Sequence, residues 1–372
     1  MLKQLGQFCE HPYWRLYSIV IAFLLSIMFA FPAYDSMLPG AQKVKNHQHL
    51  EEQFEYPLQN PDASPETHQA KMVFRLTVPA LANISGVRNP KVYILLQHLL
   101  GLGFFYFFLL LAERLFEDKV SALLLLLSIV AIYLGKSFFW DIQGWFDGLA
   151  FFFLLLSMYT KSPPVQWLCL SIAFWTDERA ILASGLIWCW WKIQYYETEK
   201  LSFKKLIWPD RITLTFVIAW GAYLALRFWL GHTYGMQTPM GDSGAFGFQR
   251  WEVIVPALFT ALEGTWLLFV PLLLGIKINR SYWLLAAIAL GFLAVVIPAL
   301  TVADMTRSLT YCFPIFLIAA YFLKDQVDIQ DGQTYLLIIA IICWLFPNFT
   351  VISVLSWMHP IFPGIFVDHQ HM

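Results

Sequence analysis

The apolar positions along this chain come in long runs, separated by short polar stretches. A helix that crosses a bilayer needs about 20 predominantly apolar residues. Runs of that kind cover 16–34, 92–112, 119–135, 145–160, 212–231, 253–276, 281–302, 308–323 and 335–358. The first is preceded by Lys3 and Arg15 and lacks a small-residue cleavage site. It reads as a retained helix, not a signal peptide.

The stretch 165–191 differs. It is apolar except for Thr176-Asp177-Glu178-Arg179 near its middle. One straight helix would set three charges at the bilayer centre, at a cost of several kcal/mol. Two short helices meeting at the charged tetrad avoid that cost, provided the break faces protein or a water-filled cavity. The basic loop 192–211, with Lys192, Lys200, Lys204, Lys205 and Arg211, falls on the inner side only if 165–191 enters and returns. The pattern therefore predicts an all-α, polytopic membrane protein of about eleven helical segments, N-terminus in and C-terminus out.

The whole chain, 1–372, reads as one integral membrane domain without internal repeats. Its long first loop, 35–91, is expected outside. The polar, Pro-bearing start of that loop (46–65) contrasts with an apolar part (70–84) suited to an interfacial helix. Composition strengthens the membrane reading: 59% of residues are hydrophobic, 17% aromatic and 13% charged. A soluble domain carries roughly 25% charged residues. The net charge of -1 and the lack of a basic tract give no reason to expect nucleic acid. Cys9, Cys169, Cys189, Cys312 and Cys343 are far apart and show no CxxC spacing.

The topology sorts the ionisable residues. Inner loops carry mixed charges, whereas the outer set is sparse and sits at helix mouths: Asp35, Asp141, Asp147, Asp177, Glu178, Arg179, Asp242, Asp304 and Arg307. Charges so close to apolar helix are functional candidates. Each also has a plainer reading. Asp35 suits a solvated loop, and Asp141 or Asp147 suits a helix cap. Asp304 and Arg307 have the spacing of an intrahelical ion pair. The tetrad at 176–179 is hardest to explain structurally. Arginine's planar fork suits phosphate, and a neighbouring carboxylate can act as general base on a hydroxyl. If the phosphate belongs to a lipid, no soluble nucleotide loop is needed, and none of the GxxxxGK[ST], GxGxxG or HExxH motifs occurs.

At these residues the chain resembles the GT-C superfamily of membrane glycosyltransferases, which use polyprenyl-phosphate-linked sugars. The likeness rests on Phe31-Pro32-Ala33-Tyr34-Asp35 after the first span, on Asp147-Gly148-Leu149-Ala150-Phe151-Phe152, on the broken pair around Thr176-Asp177-Glu178-Arg179, and on Arg307 in Asp304-Met305-Thr306-Arg307. The chain departs from the pattern in having Asp177 where the hairpin tip often has Lys, with the basic residue displaced to Arg179. It also lacks a paired Asp-Glu in the first loop and the large C-terminal soluble domain of oligosaccharyltransferases.

The resemblance implies a glycosyltransferase of a bacterial cytoplasmic membrane. Asp35 would deprotonate or orient an acceptor hydroxyl, and Arg179 and Arg307 would hold the phosphate leaving group. Asp147, Asp177, Glu178 and Asp304 would position those arginines or bind acceptor, and Arg75 would add a phosphate contact. The implied partners are a lipid-linked sugar donor, membrane lipids and a glycan or lipid acceptor. So many carboxylates also suit a divalent metal, although no ligand spacing demands one.

Other classes stay open: a polysaccharide polymerase or acyltransferase, a transporter, or a non-catalytic envelope assembly protein. An acyltransferase would need a reactive His, and only His98 falls inside a span. His47-Gln48-His49, His68 and His369-Gln370-His371 read as solvated histidines. Asn83-Ile84-Ser85 is a sequon, meaningful only in a glycosylating secretory pathway.

Overall fold

The computed structural model describes residues 1–30, 34–37, 45–59, 72–196, 202–236, 251–278, 282–346, 349–352 and 354–357. These residues form helices joined by turns and short extended connections, with one short antiparallel ribbon, Phe349–Ile352 with Val354–Trp357. Among them, four helices are long and apolar enough to cross a membrane: Pro90–Phe116, Arg211–Tyr234, Trp251–Ile278 and Tyr282–Thr301. The number rises to 6 if two bent pairs, Lys119–Ala131 with Tyr133–Trp140 and Met305–Cys312 with Pro314–Lys324, each form one span.

In chain order the helices are α1 (Leu2–Glu10), α2 (Trp14–Phe29), α3 (Lys45–Glu55), α4 (Thr77–Ser85), α5 (Pro90–Phe116), α6 (Lys119–Ala131), α7 (Tyr133–Trp140), α8 (Asp147–Tyr159), α9 (Pro163–Thr176), α10 (Arg179–Tyr195), α11 (Phe203–Ile207) and α12 (Arg211–Tyr234). They continue with α13 (Ile254–Leu262), α14 (Phe269–Ile278), α15 (Tyr282–Thr301), α16 (Met305–Leu309), α17 (Pro314–Lys324) and α18 (Ile329–Leu345). Local chemistry sets several starts. Asn89 accepts a hydrogen bond from the Lys91 amide with Pro90 at the first helical position, the pairing that fits an N-terminus. Asp118 caps α6, and Asp210 caps α12.

The helices end where the polar stretches require, with three differences from the sequence pattern. The run at 119–135 does not close a straight span: Ile132 adopts extended backbone and the chain bends by 59° into α7. The last helix stops at Leu345, well short of 358. Pro347 follows, and its ring disfavours helix at the residue before it. The segment Phe349-Thr350-Val351-Ile352, one aromatic and three β-branched residues, then pairs as a strand. Thirdly, the polar start of the first loop contains a helix, α3, where none was expected, and the apolar part yields only the nine residues of α4.

A small apolar cluster explains that last difference. Leu50 and Phe54 of α3 pack with Val78 and Ala82 of α4, Tyr93 and Ile94 of α5, and Phe146 and Leu149. The first loop is thereby pinned over one end of α5 and α8. His47 and His49 are consequently buried, which corrects the solvated reading. His47 Nε2 lies 2.7 Å from the Ile142 carbonyl, and burial pushes both imidazoles below their ordinary pKa. His68, His369 and His371 lie outside the described residues.

Close helix contacts set the next layer. A Cβ on Gly148 would meet Phe138 at 2.7 Å and Gln97 at 3.2 Å, so only glycine lets α8 approach α7 and α5 this closely. The helices alternate in direction, which gathers residues 141–147, 177–179 and 304–307 at one end. The opposite end holds Arg15 paired with Glu113 and the buried Lys192 paired with Asp210 at 2.6 Å. Lys192 also donates to the carbonyls of Lys205 and Trp208, so its charge is fully used in anchoring the α10–α12 connection.

Candidate functional site

α7 ends at Trp140, and the chain turns through 141–146 before α8. Asp141 organises that turn by accepting hydrogen bonds from the amides of Gly144, Trp145 and Phe146, at 3.1, 3.2 and 2.8 Å. Its side chain thus holds the turn before α8 and caps neither helix, which differs from the helix-cap reading. Burial, reinforced by the charge of Asp147, pushes its carboxyl up to about 6.

Asp147 opens α8 but caps nothing, since Phe146 occupies the cap position without a side-chain bond. Its carboxylate is completely buried and turned instead toward two arginines. Oδ1 accepts from Arg179 Nη2 at 2.9 Å, Arg307 Nη2 at 3.3 Å and the Tyr311 hydroxyl at 3.3 Å. Oδ2 accepts from the Tyr133 hydroxyl at 3.2 Å and makes an ion pair with Arg307 Nε.

The break between α9 and α10 supplies the second part. Asp177 leaves the helical region (φ -153, ψ 129) and accepts from the Arg179 amide at 2.9 Å and from Arg179 Nε at 2.8 Å. Its other oxygen lies 2.6 Å from Arg179 Nη2 and 2.9 Å from Arg75 Nη2. Burial raises this carboxyl's pKa, but Arg179 and Arg75 outweigh burial and hold it below the ordinary carboxylate range. Glu178 lies 3.6 Å from Arg75, and Arg75 Nη1 donates to the Trp145 carbonyl at 3.5 Å.

The third part comes from the turn before α16. Asp304 accepts from Arg307 Nη1 at 2.8 Å, while its other oxygen is buried with no hydrogen-bond partner. Burial raises the Asp304 carboxyl. Ser308 accepts from Arg179 Nη1 at 2.7 Å. The Arg307 guanidinium lies 4.2 Å above the Trp145 ring, and Arg179 lies 4.8 Å above Tyr311.

Seven of the sequence-derived residues thus meet in one network: Arg75, Asp147, Asp177, Glu178, Arg179, Asp304 and Arg307. Asp35 falls in a short helical turn, Tyr34–Met37, and its side chain lies outside the described residues. Its neighbour Tyr34 places a hydroxyl 2.9 Å from His98 Nε2 on α5. Sequence reasoning missed Tyr133, Ser308 and Tyr311. A signal for two of them existed: Asp304, Arg307, Ser308 and Tyr311 have the spacing of one helix face.

The electrostatics are specific. Three guanidiniums face the four carboxylates of Asp147, Asp177, Glu178 and Asp304, so the network itself is not cationic. A small cleft opens beside it, lined by Leu50, Gln53, Arg75, Trp145 and Thr176. A larger pocket of 230 Å³ lies at the far end of α5, between Glu117, Asp118, Lys324 and Asp328, and shares no residue with this network. Among the described residues no group of three His, Cys, Asp or Glu is placed to hold a metal ion. No family model matches this chain, and no curated protein or solved structure does so either.

Proposed function

We propose that this chain is a membrane glycosyltransferase that moves a sugar from a polyprenyl-phosphate donor to a hydroxyl of an extracytoplasmic glycan or lipid. The observation that carries the reading is the convergence on Asp147 of two arginines from distant parts of the chain, at one end of a set of apolar helices. The fold belonging to this reading is GT-C-like, with about eleven helical membrane segments, the network on the outer side of a bacterial cytoplasmic membrane and the N-terminus inside. The basic residues Lys119, Lys161, Lys204, Lys205, Arg211 and Lys324 at the other end support that orientation.

In this reading Asp35 takes the proton from the acceptor hydroxyl. The acceptor oxygen forms a bond to the anomeric carbon as the bond from that carbon to the phosphate oxygen breaks. Configuration inverts, and the electron pair leaves with the polyprenyl phosphate. Arg179 and Arg307 stabilise the phosphate, and Asp147 fixes their geometry. Because each arginine already faces a carboxylate, phosphate must displace one of these contacts; the longest hydrogen bond among them is Arg307 Nη2 to Asp147 Oδ1 at 3.3 Å. Arg75, Asp177 and Glu178 position the opposite side of the cleft.

The test replaces Asp35 by Asn and Arg307 by Gln separately, and measures transfer from a labelled polyprenyl-phosphate sugar in membranes. Each change is expected to lower transfer by about 10²-fold or more. Full activity in both variants would sink the reading. A purely structural ion network is the second reading, favoured by the complete burial of Asp147 and Asp177; it predicts lost stability without a specific effect on turnover.

A further inference from the structure

The 28-residue span Trp251–Ile278 is broken near its middle. α13 stops at Leu262, tighter 3-10 turns run from Glu263 to Leu268, and α14 begins at Phe269. Such a stretch inside a helix often marks a hinge or a functional position. Glu263 makes the break itself, with φ 43° and ψ -127°, a region open to glycine and uncommon for any other residue. A Cβ on Gly264 would lie 2.5 Å from the Ile339 carbonyl oxygen, so the break is pressed against α18. Glu263 is buried there, with 2% exposed.

The break frees backbone carbonyls, and neighbouring side chains take them up. The Thr265 hydroxyl donates to the Leu262 carbonyl, and Trp266 Nε1 donates to the Leu258 carbonyl at 2.9 Å. The Glu263 carboxyl receives no such bond. Among the described residues neither of its oxygens has a hydrogen-bond partner. The ionisable side chains that face it are Lys136 on α7 and Cys343 on α18, and neither makes a hydrogen bond to it.

A charged carboxylate without donors is far costlier in an apolar interior than a neutral acid, and such a group takes up a proton instead. An ionisable residue deep in a span is a functional candidate, and backbone strain gathers at functional positions. Glu263 shows both features, and the charged network does not include it. We propose that Glu263 is a proton-binding site inside the bilayer, carrying its proton at neutral pH and releasing it as the pH rises. This site is independent of the transferase reading.

The test treats the full chain in phosphatidylcholine nanodiscs with dicyclohexylcarbodiimide, an apolar reagent that adds to protonated carboxyls, and locates adducts by peptide mass spectrometry. At pH 6 Glu263 is expected to be labelled at least tenfold faster than the exposed Glu55, and at least tenfold faster than Glu263 itself at pH 9. A carboxylate kept ionised by Lys136 would give no adduct in the wild type and one only in Lys136→Met, which would overturn the proposal. Labelling that is the same at both pH values overturns it too, as does protection by 100 mM sodium chloride, because the site would then take a metal cation. If neither protein is labelled, infrared spectroscopy decides. The wild type at pH 7 must show the carbonyl band of a neutral carboxylic acid that Glu263→Leu lacks, and the band must fade as the pH rises; identical spectra are equally fatal.

Discussion

Arg307 reaches Asp147 across 160 positions of chain and engages both of its carboxylate oxygens. The pair is buried, with 3% and 0% of the side chains exposed. Removing one partner of such a pair leaves an uncompensated charge, which costs about 3–5 kcal/mol. Asp147→Asn is therefore expected to lower unfolding stability in detergent by that amount, because Arg179 loses a partner as well. The combined Asp147→Asn/Arg307→Gln variant should lose less than the sum of the single changes. Strict additivity would mean the two side chains are not coupled.

Two further ionisable side chains are buried among apolar helices away from the network. Lys136 on α7 and Glu263 between α13 and α14 are 1% and 2% exposed. Both Glu263 oxygens lack hydrogen-bond partners, and its backbone has a positive φ of 43°. An unsatisfied buried polar group costs about 1–3 kcal/mol, so Glu263→Leu should leave stability unchanged or raise it. Denaturant titration of wild type and variant reads this directly, and a large loss of stability would contradict it.

The network and these buried side chains show what the sequence reveals and what it hides. The α9–α10 break was legible because Asp177, Glu178 and Arg179 interrupt an otherwise apolar run, and lipid tolerates no such run in one straight helix. Asp304 and Arg307 were legible through their spacing. Tyr133 and Tyr311 were not, because a tyrosine in an apolar segment is unremarkable until a carboxylate is brought to it from elsewhere. Lys136 was not legible because the apolar run stops at 135 in the sequence, whereas the chain bends and continues as α7. The burial of His47 and His49 depends on α4, α5 and α8 together, a tertiary relationship that no local pattern in 46–65 encodes.

Gly144 holds the turn that carries Asp141, Trp145 and Asp147 into place. Its φ is +82°, and a Cβ there would lie 2.6 Å from Leu50 Cδ1 on α3. Gly144→Ala should cost about 1–3 kcal/mol through backbone strain alone, plus the clash. Adding Leu50→Ala should relieve only the steric part. Thermal unfolding of the two variants separates the contributions, and a neutral Gly144→Ala would show that the turn does not hold this conformation.

Asp141 gives a pH dependence of definite sign. Its carboxyl sits at about 6 when folded against an ordinary value of 3.8, so the folded state binds more protons between those values. Stability contributed by this group is then greatest below pH 3.8 and falls as pH rises toward 6. Asp141→Asn should flatten that part of the profile. Melting temperatures measured from pH 4 to pH 7 check it; parallel profiles for the two proteins would contradict the assignment.

The central claim is that the arginines on Asp147 act on a phosphate. Arg307→Lys keeps the charge beside Asp147 but removes the planar fork that reaches two oxygens at once. The decisive measurement is initial-rate transfer of labelled sugar from a polyprenyl-phosphate donor, by wild type and Arg307→Lys at matched folded protein. The account predicts a loss of about 10²-fold in rate with the melting temperature little changed. Equal rates in the two proteins would contradict it.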